Sequence, residues 1–268
     1  MVDAPASHLR AWPLAKISPP SPRALLSRPR LRDAISRAVA AGQVTFIAAP
    51  GGSGKTSLLA DWARHADGPV AWYALDPADR DTRRLAAGLC ASVERVLPGT
   101  AGTALAALEG GAHEVAAIGL LLGALEGRPL ALVLDDFQHL DDLPEAVGLW
   151  DHLLRFRPPT LALIILSRSI PLFGFSTLAA LDELAALGRE DLRFDADEAR
   201  ALLAAHGLPG ETATQMVKRS GGWAAGLLLL AHAVPDGVRF LRARRCVDGT
   251  PGARDRRGPP RRYPPVHA

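Results

Sequence analysis

Eight residues constrain this chain more than any others. Ala49-Pro-Gly-Gly-Ser-Gly-Lys-Thr56 follows a short apolar, β-branched run, Val44-Thr-Phe-Ile-Ala48, and residues 55–66 after it place Leu58, Leu59 and Trp62 at helical spacing. A strand, a glycine-rich turn and a helix in that order bring unpaired backbone N–H groups and the positive end of a helix dipole to one point. The pattern is that of a phosphate-binding loop, with Ala49 in place of the usual first glycine. It assigns Pro50, Gly51, Gly52, Ser53, Gly54, Lys55, Thr56 and Ser57 to the phosphates of a nucleotide. The Lys55 ammonium would reach the β- and γ-phosphates, and the Thr56 hydroxyl would ligate Mg²⁺. The chain has only three lysines, Lys16, Lys55 and Lys218. Placing one of them here suits a site that needs a compact point charge and not a guanidinium fork. The competing explanation is a flexible glycine loop between a strand and a helix, and the context on both sides argues against it.

A second feature strengthens the first. Leu130-Ala-Leu-Val-Leu134 is apolar throughout, as a central parallel strand should be, and it ends in Asp135-Asp136. Ligands bind at the carboxyl ends of such strands. Asp135 is therefore the expected Mg²⁺ partner of Thr56, and Asp136 the group that orients or deprotonates an attacking water. Alone, two acids could simply end a strand and start a turn. The next strand, Leu161-Ala-Leu-Ile-Ile-Leu166, is followed by Ser167-Arg168. Arg168 could sense a γ-phosphate or stabilise charge during transfer; a solvated strand-end arginine is the alternative. Trp72 and Tyr73 are expected in the core, and His139 at the surface.

Between these landmarks the pattern alternates. Helices are expected at 31–41, 81–96, 114–125 and 144–156, a strand at 70–75 and a short fifth strand at Leu192-Arg-Phe194. Alternation of this kind implies an α/β fold, a parallel sheet with helices on both faces. Residues 1–29 are rich in Pro, Ser and Arg and read as an extended arm; 30–194 form the nucleotide-binding domain. Asp195 opens a helical segment, 195–234, broken near Ser220-Gly-Gly222. After residue 234 Gly, Pro and Arg dominate and no apolar period survives, so 235–268 read as a disordered tail.

Charge sharpens that division. Nine arginines and three acids lie in residues 231–268, a net of +6 against +3 for the whole chain, which leaves the remainder at −3. The folded part is thus not a nucleic-acid binder by composition. No apolar run reaches the length of a membrane span, and the first residues carry no signal core. Cys90 and Cys246 are the only cysteines, which argues against a disulfide framework and a zinc site and fits a cytoplasmic location.

Taken in order, Lys16-Ile-Ser-Pro-Pro, the loop, Val70-Ala-Trp-Tyr-Ala-Leu-Asp76, Leu132-Val-Leu-Asp-Asp-Phe-Gln138, Leu166-Ser-Arg-Ser-Ile-Pro171, Asp191-Leu-Arg-Phe194 and Gly222-Trp-Ala-Ala-Gly-Leu227 resemble the ATPase module of the MalT-like transcriptional activators. These are LuxR-family regulators among the signal-transduction ATPases with numerous domains, a branch akin to the AAA+ proteins. The resemblance covers roughly residues 14–232. It implies a slow ATP/ADP switch with Mg²⁺, resting in the ADP form, exchanging nucleotide and self-associating when an inducer binds downstream. It implies phosphate and Mg²⁺ roles for Lys55 and Thr56, an acidic pair at Asp135 and Asp136, a sensor at Arg168 and a helical part at Gly222-Trp223 leading to a winged helix. The preference for ATP over GTP rests on it alone.

Two departures stand out. Ser176-Thr-Leu-Ala-Ala-Leu-Asp-Glu-Leu184 lacks the closely spaced arginines such proteins often carry there. The rest of the winged helix, the sensor repeats and the DNA-binding domain are missing, so DNA would be reached only through a domain absent from this chain. The expectation is a C-terminally truncated regulator, its Arg/Pro-rich tail arising from a frameshift near codons 235–245; a genuine basic tail is the alternative. The competing functions are a stand-alone P-loop ATPase or kinase-type enzyme, and an inactive remnant or interaction module.

Overall fold

The computed structural model describes residues 12–21, 26–170, 183–205 and 213–233. The tail, and most of the 176–184 stretch, lie outside them. Five parallel strands, β1 (Val44–Ala48), β2 (Val70–Ala74), β3 (Leu130–Asp135), β4 (Leu161–Ser167) and β5 (Leu184–Leu187), form one sheet in the order β2-β3-β4-β1-β5. Every residue of β3 and β4 is buried. Their unbroken apolar runs follow from being covered on both faces.

One face carries α1 (Pro29–Ala40) and α2 (Lys55–Arg64), which pack Leu31, Ile35, Leu58, Leu59 and Trp62 against Ile47, Trp72, Val133 and Ile164. The opposite face carries α3 (Thr82–Val96), α4 (Gly102–Glu109), α5 (Glu114–Ala124) and α6 (Pro144–Phe156), whose Leu85, Leu89, Leu105, Ile118 and Trp150 close over Tyr73, Leu132 and Leu163. The alternation of strand residues between the two faces sends Trp72 and Tyr73 to opposite sides of the sheet. Both are fully buried in the core.

Sequence periodicity misses α4 because its start is made by a distant side chain. Ala101, at its N-cap, offers no side-chain cap. Glu94, buried on α3, instead accepts from the N–H groups of Gly99 (2.6 Å) and Ala101 (2.8 Å). The expected fifth strand is corrected. It lies at Leu184–Leu187, not at Leu192–Phe194. Its Leu-Ala-Ala-Leu text has no β signature; pairing with β1, from Val44↔Leu184 to Ile47↔Leu187, makes it a strand. Leu192 is drawn into the core under α1 and α2, while Phe194 joins the helices that follow.

Those helices are α7 (Ala196–Ala205), α8 (Ala213–Ser220) and α9 (Ala224–Ala233), packed around Phe194, Ala199, Leu203, Met216 and Leu227. The buried Arg28 fastens them to the sheet domain. Its guanidinium donates to the Leu192 and Arg193 carbonyls at 2.9 Å, pairs with Glu198 at 2.7 Å and lies over the Phe194 ring.

The stretch before α1 is also anchored. Ala74 N–H donates to the Lys16 carbonyl at 2.8 Å, capping the free edge of β2, and Ile17 is buried. Lys16 Nζ is paired with Asp76 and, at 2.6 Å, with the fully buried Asp79. Tyr73 donates to that Asp79 carboxylate at 2.7 Å. Tyr73 in turn needs Gly88 of α3, where an added Cβ would sit 2.1 Å from the phenol oxygen. Alanine favours a helix over glycine by about 1 kcal/mol. Overpacking of this kind costs about 1–3 kcal/mol or more, and here it also displaces a hydrogen-bonded phenol. Gly88→Ala should therefore lower the urea midpoint, and an unchanged or raised midpoint would contradict this packing.

Candidate phosphate site

The loop lies where the sequence places it, between β1 and α2. Gly52 and Gly54 adopt φ of +73° and +85°, a left-handed conformation that side chains resist, and Gly54 is the N-cap of α2. Ser53 closes the turn by donating its hydroxyl to the Pro50 carbonyl at 2.7 Å. Pro50, Gly51, Gly52 and Ser57 are exposed, Thr56 is half-buried, and Ser53 and Lys55 are buried.

Lys55 is the notable member. Only 8% of it is exposed, and its ammonium donates to the carbonyls of Ala49 (2.6 Å) and Pro50 (3.3 Å). Among the described residues no carboxylate lies within ion-pair distance of it. Burial depresses its pKa, partly offset by the charges of Asp135 and Asp136. A buried cation satisfied only by carbonyls of its own loop is suited to meet an anion there.

Asp135 ends β3, one strand removed from β1, and comes to the loop across the end of β4. Its Oδ1 accepts from the Thr56 hydroxyl at 3.2 Å and from Asp136 N–H at 2.9 Å. Burial, then the neighbouring charge of Asp136, push its pKa up to about 6. A hydroxyl and a buried carboxylate this close form a hard oxygen pair of the kind that holds Mg²⁺.

Asp136 takes a left-handed backbone, φ +56°, the only non-glycine among the described residues to do so. That turn directs the chain away from the strand and leaves the carboxylate partly exposed. Arg168, just beyond β4, is 61% exposed, and its guanidinium stands 4.0 Å from Asp136 Oδ1. The two predicted residues are therefore neighbours, loosely paired.

Sequence reasoning missed the group that bridges them. Gln138 donates from Nε2 to Asp136 Oδ1 at 2.8 Å and accepts from Arg168 N–H at 3.1 Å. Its place two residues beyond the acids was the only available signal. His139 is half-buried, and Arg80 donates to its carbonyl at 3.1 Å. A cavity of ≈ 350 Å³, lined in part by Trp62, Val70, Leu130 and Thr160, lies at the amino ends of the strands, the opposite edge from the loop.

A parallel sheet whose first strand feeds a phosphate loop, and whose third ends in an acid that touches it, defines a P-loop NTPase fold. The chain is similar to the HTH-type transcriptional regulator MalT of Yersinia enterocolitica, with 32% identity over 227 residues. The match takes in 77% of this chain and 24% of the relative, so the chain spans about a quarter of that protein's length. No protein-family model matches. Among solved structures it is similar to the Aeropyrum pernix ORC1 protein in complex with DNA (17% identity, TM-score 0.49, covering 90% of this chain and 62% of that one). It is also similar to the K64R mutant of RuvB from Thermotoga maritima (16% identity, TM-score 0.45, covering 81% and 65%). Both likenesses are distant, and the fold class rests on sheet order and loop. Among the described residues no helix is long and apolar enough to cross a membrane.

Proposed function

We propose that the chain is the nucleotide-binding switch module of a MalT-like regulator, binding ATP or ADP with Mg²⁺ and hydrolysing slowly if at all. The observation that carries this is the contact between Thr56 and Asp135 at 3.2 Å beside a buried Lys55 that has only loop carbonyls for partners. Mg²⁺, when bound, would supply positive charge that neutralises the phosphates. Lys55 would exchange its carbonyl partners for phosphate oxygens. Thr56 and Asp135 would hold the metal, amides of the 51–57 loop would cradle the phosphates, Asp136 would orient water, and Arg168 would answer to the γ-phosphate. The loose, exposed placement of Arg168 and Asp136 favours slow chemistry, because a transition state is stabilised by groups fixed in advance. The helical part that follows and the exposed leucines of α9 support a role in assembly, with self-association as its form.

Calorimetric titration with ATP, ADP and GTP, each with and without Mg²⁺, tests the binding, and a coupled assay tests turnover. Adenine nucleotide should bind in the presence of Mg²⁺, with fewer than about one turnover per second, below the median enzyme rate. Steady hydrolysis at several per second would instead make this a P-loop ATPase in its own right.

A further inference from the structure

The phosphate loop is gripped from outside by residues some 170 positions later in the chain. Trp223 Nε1 donates to the Gly51 carbonyl at 3.2 Å, and the Ala225 N–H donates to the Gly52 carbonyl at 3.0 Å. Three glycines make room for this seat. At Gly52 a Cβ would lie 2.8 Å from Ala225 Cβ and 3.0 Å from the Trp223 ring. At Gly226 a Cβ would press the same indole at 2.9 Å. Gly222, at φ +72°, would meet the Phe194 carbonyl at 2.8 Å, and it accepts the Phe194 N–H at 2.9 Å.

The geometry of the peptide unit gives these contacts a consequence. In a trans peptide the C=O and the N–H that follows it point in opposite directions. Fixing the Gly51 carbonyl toward the indole therefore turns the Gly52 N–H the other way, and fixing the Gly52 carbonyl toward α9 does the same for the Ser53 N–H. The Ser53 N–H already faces across the turn, 3.4 Å from the Pro50 carbonyl. Without these two donors, a loop of this glycine content has several peptide orientations open to it.

We propose that Trp223 and the Ala225 amide are positioning groups of the phosphate site, holding the two peptide planes around Gly52 so that the Gly52 amide is aimed at phosphate while the Ser53 amide closes the turn on the Pro50 carbonyl. This rests on the nucleotide-binding role proposed above. It follows by linkage that bound nucleotide must tighten the seating of α9 by as much as that seating tightens nucleotide.

The test uses the full chain. Amide hydrogen exchange is followed with and without Mg²⁺-ADP, and release of N-methylanthraniloyl-ADP is timed after a chase with unlabelled ADP. Protection of residues 51–57 and of 223–230 together is the expected result. Trp223→Phe keeps a ring and deletes the N–H; it should speed release about tenfold, the worth of one hydrogen bond, while the association rate stays within about threefold. Gly226→Ala separates positioning from mere support. It strengthens α9 as a helix yet displaces the indole, so it too should speed release. Protection confined to 51–57, or wild-type release from both variants, would overturn the proposal. Absence of protection even at 51–57 would remove the nucleotide-binding role itself, and the positioning role with it.

Discussion

Lys55→Ala should lower ADP and ATP affinity by at least about 100-fold while leaving the nucleotide-free protein as stable as before. Truncating one member of a buried, charge-assisted pair costs about 2–5 kcal/mol in binding, and 100-fold is near the lower end of that range. The opposing effect on folding is small. Lys55 is a desolvated ammonium whose partners are two carbonyls of its own loop, so its removal relieves burial of a charge at the same time as it loses two hydrogen bonds. The melting temperature should change little. Calorimetry and a thermal melt on the same preparation separate the two effects. Unchanged affinity would mean that the nucleotide, if bound, is held elsewhere.

Asp135→Asn should do two things of opposite sign. Burial and the charge of Asp136 raise the Asp135 carboxyl to about 6 in the folded chain, against an ordinary value of 3.8. Between those values the folded state holds more protons than the unfolded one, so stability falls as pH rises from about 4 to about 6 and stays reduced above. The asparagine has no charge to bury and keeps an oxygen for the Thr56 hydroxyl. It should stabilise the nucleotide-free protein at pH 8 by up to about 3 kcal/mol, as a shift of roughly two pH units allows, with the gain vanishing near pH 4. At the same time the Mg²⁺ dependence of ATP binding should disappear. A lower melting temperature at pH 8 would refute the desolvation argument, and a retained Mg²⁺ dependence would refute the metal role. A buried charge that costs stability and remains in place is what a binding residue looks like.

The parts of the molecule readable from sequence are those whose cause is local. The loop glycines, the lysine and the strand–helix context lie within about a dozen residues, and the all-apolar β3 announces its own burial before the two acids end it. What escaped has distant causes. Leu184–Leu187 is a strand because β1 offers it an open edge. The N-terminus of α4 is satisfied by a glutamate from the helix before it. Gln138 matters only because the turn after Asp136 brings it between two strand ends. Trp223 could be marked by its glycine neighbours as a landmark, but nothing near it in the chain says that its partner is Gly51. Proline, serine and arginine give residues 1–29 the look of an extended arm, and only the structure shows that Lys16 and Ile17 lie against the sheet.

The sheet order has a consequence for how the chain is made. Strand β1 carries the phosphate loop, but both of its neighbours come late: β4 begins at Leu161 and β5 at Leu184. During synthesis β2 and β3, which pair with each other, can meet first. At cellular translation speeds the loop strand then waits on the order of ten seconds with both edges bare. Through that interval the loop has no sheet to hold it, and nucleotide in the cell can give the nascent chain little help. A pause in synthesis after β5 has left the ribosome would give the strand time to close.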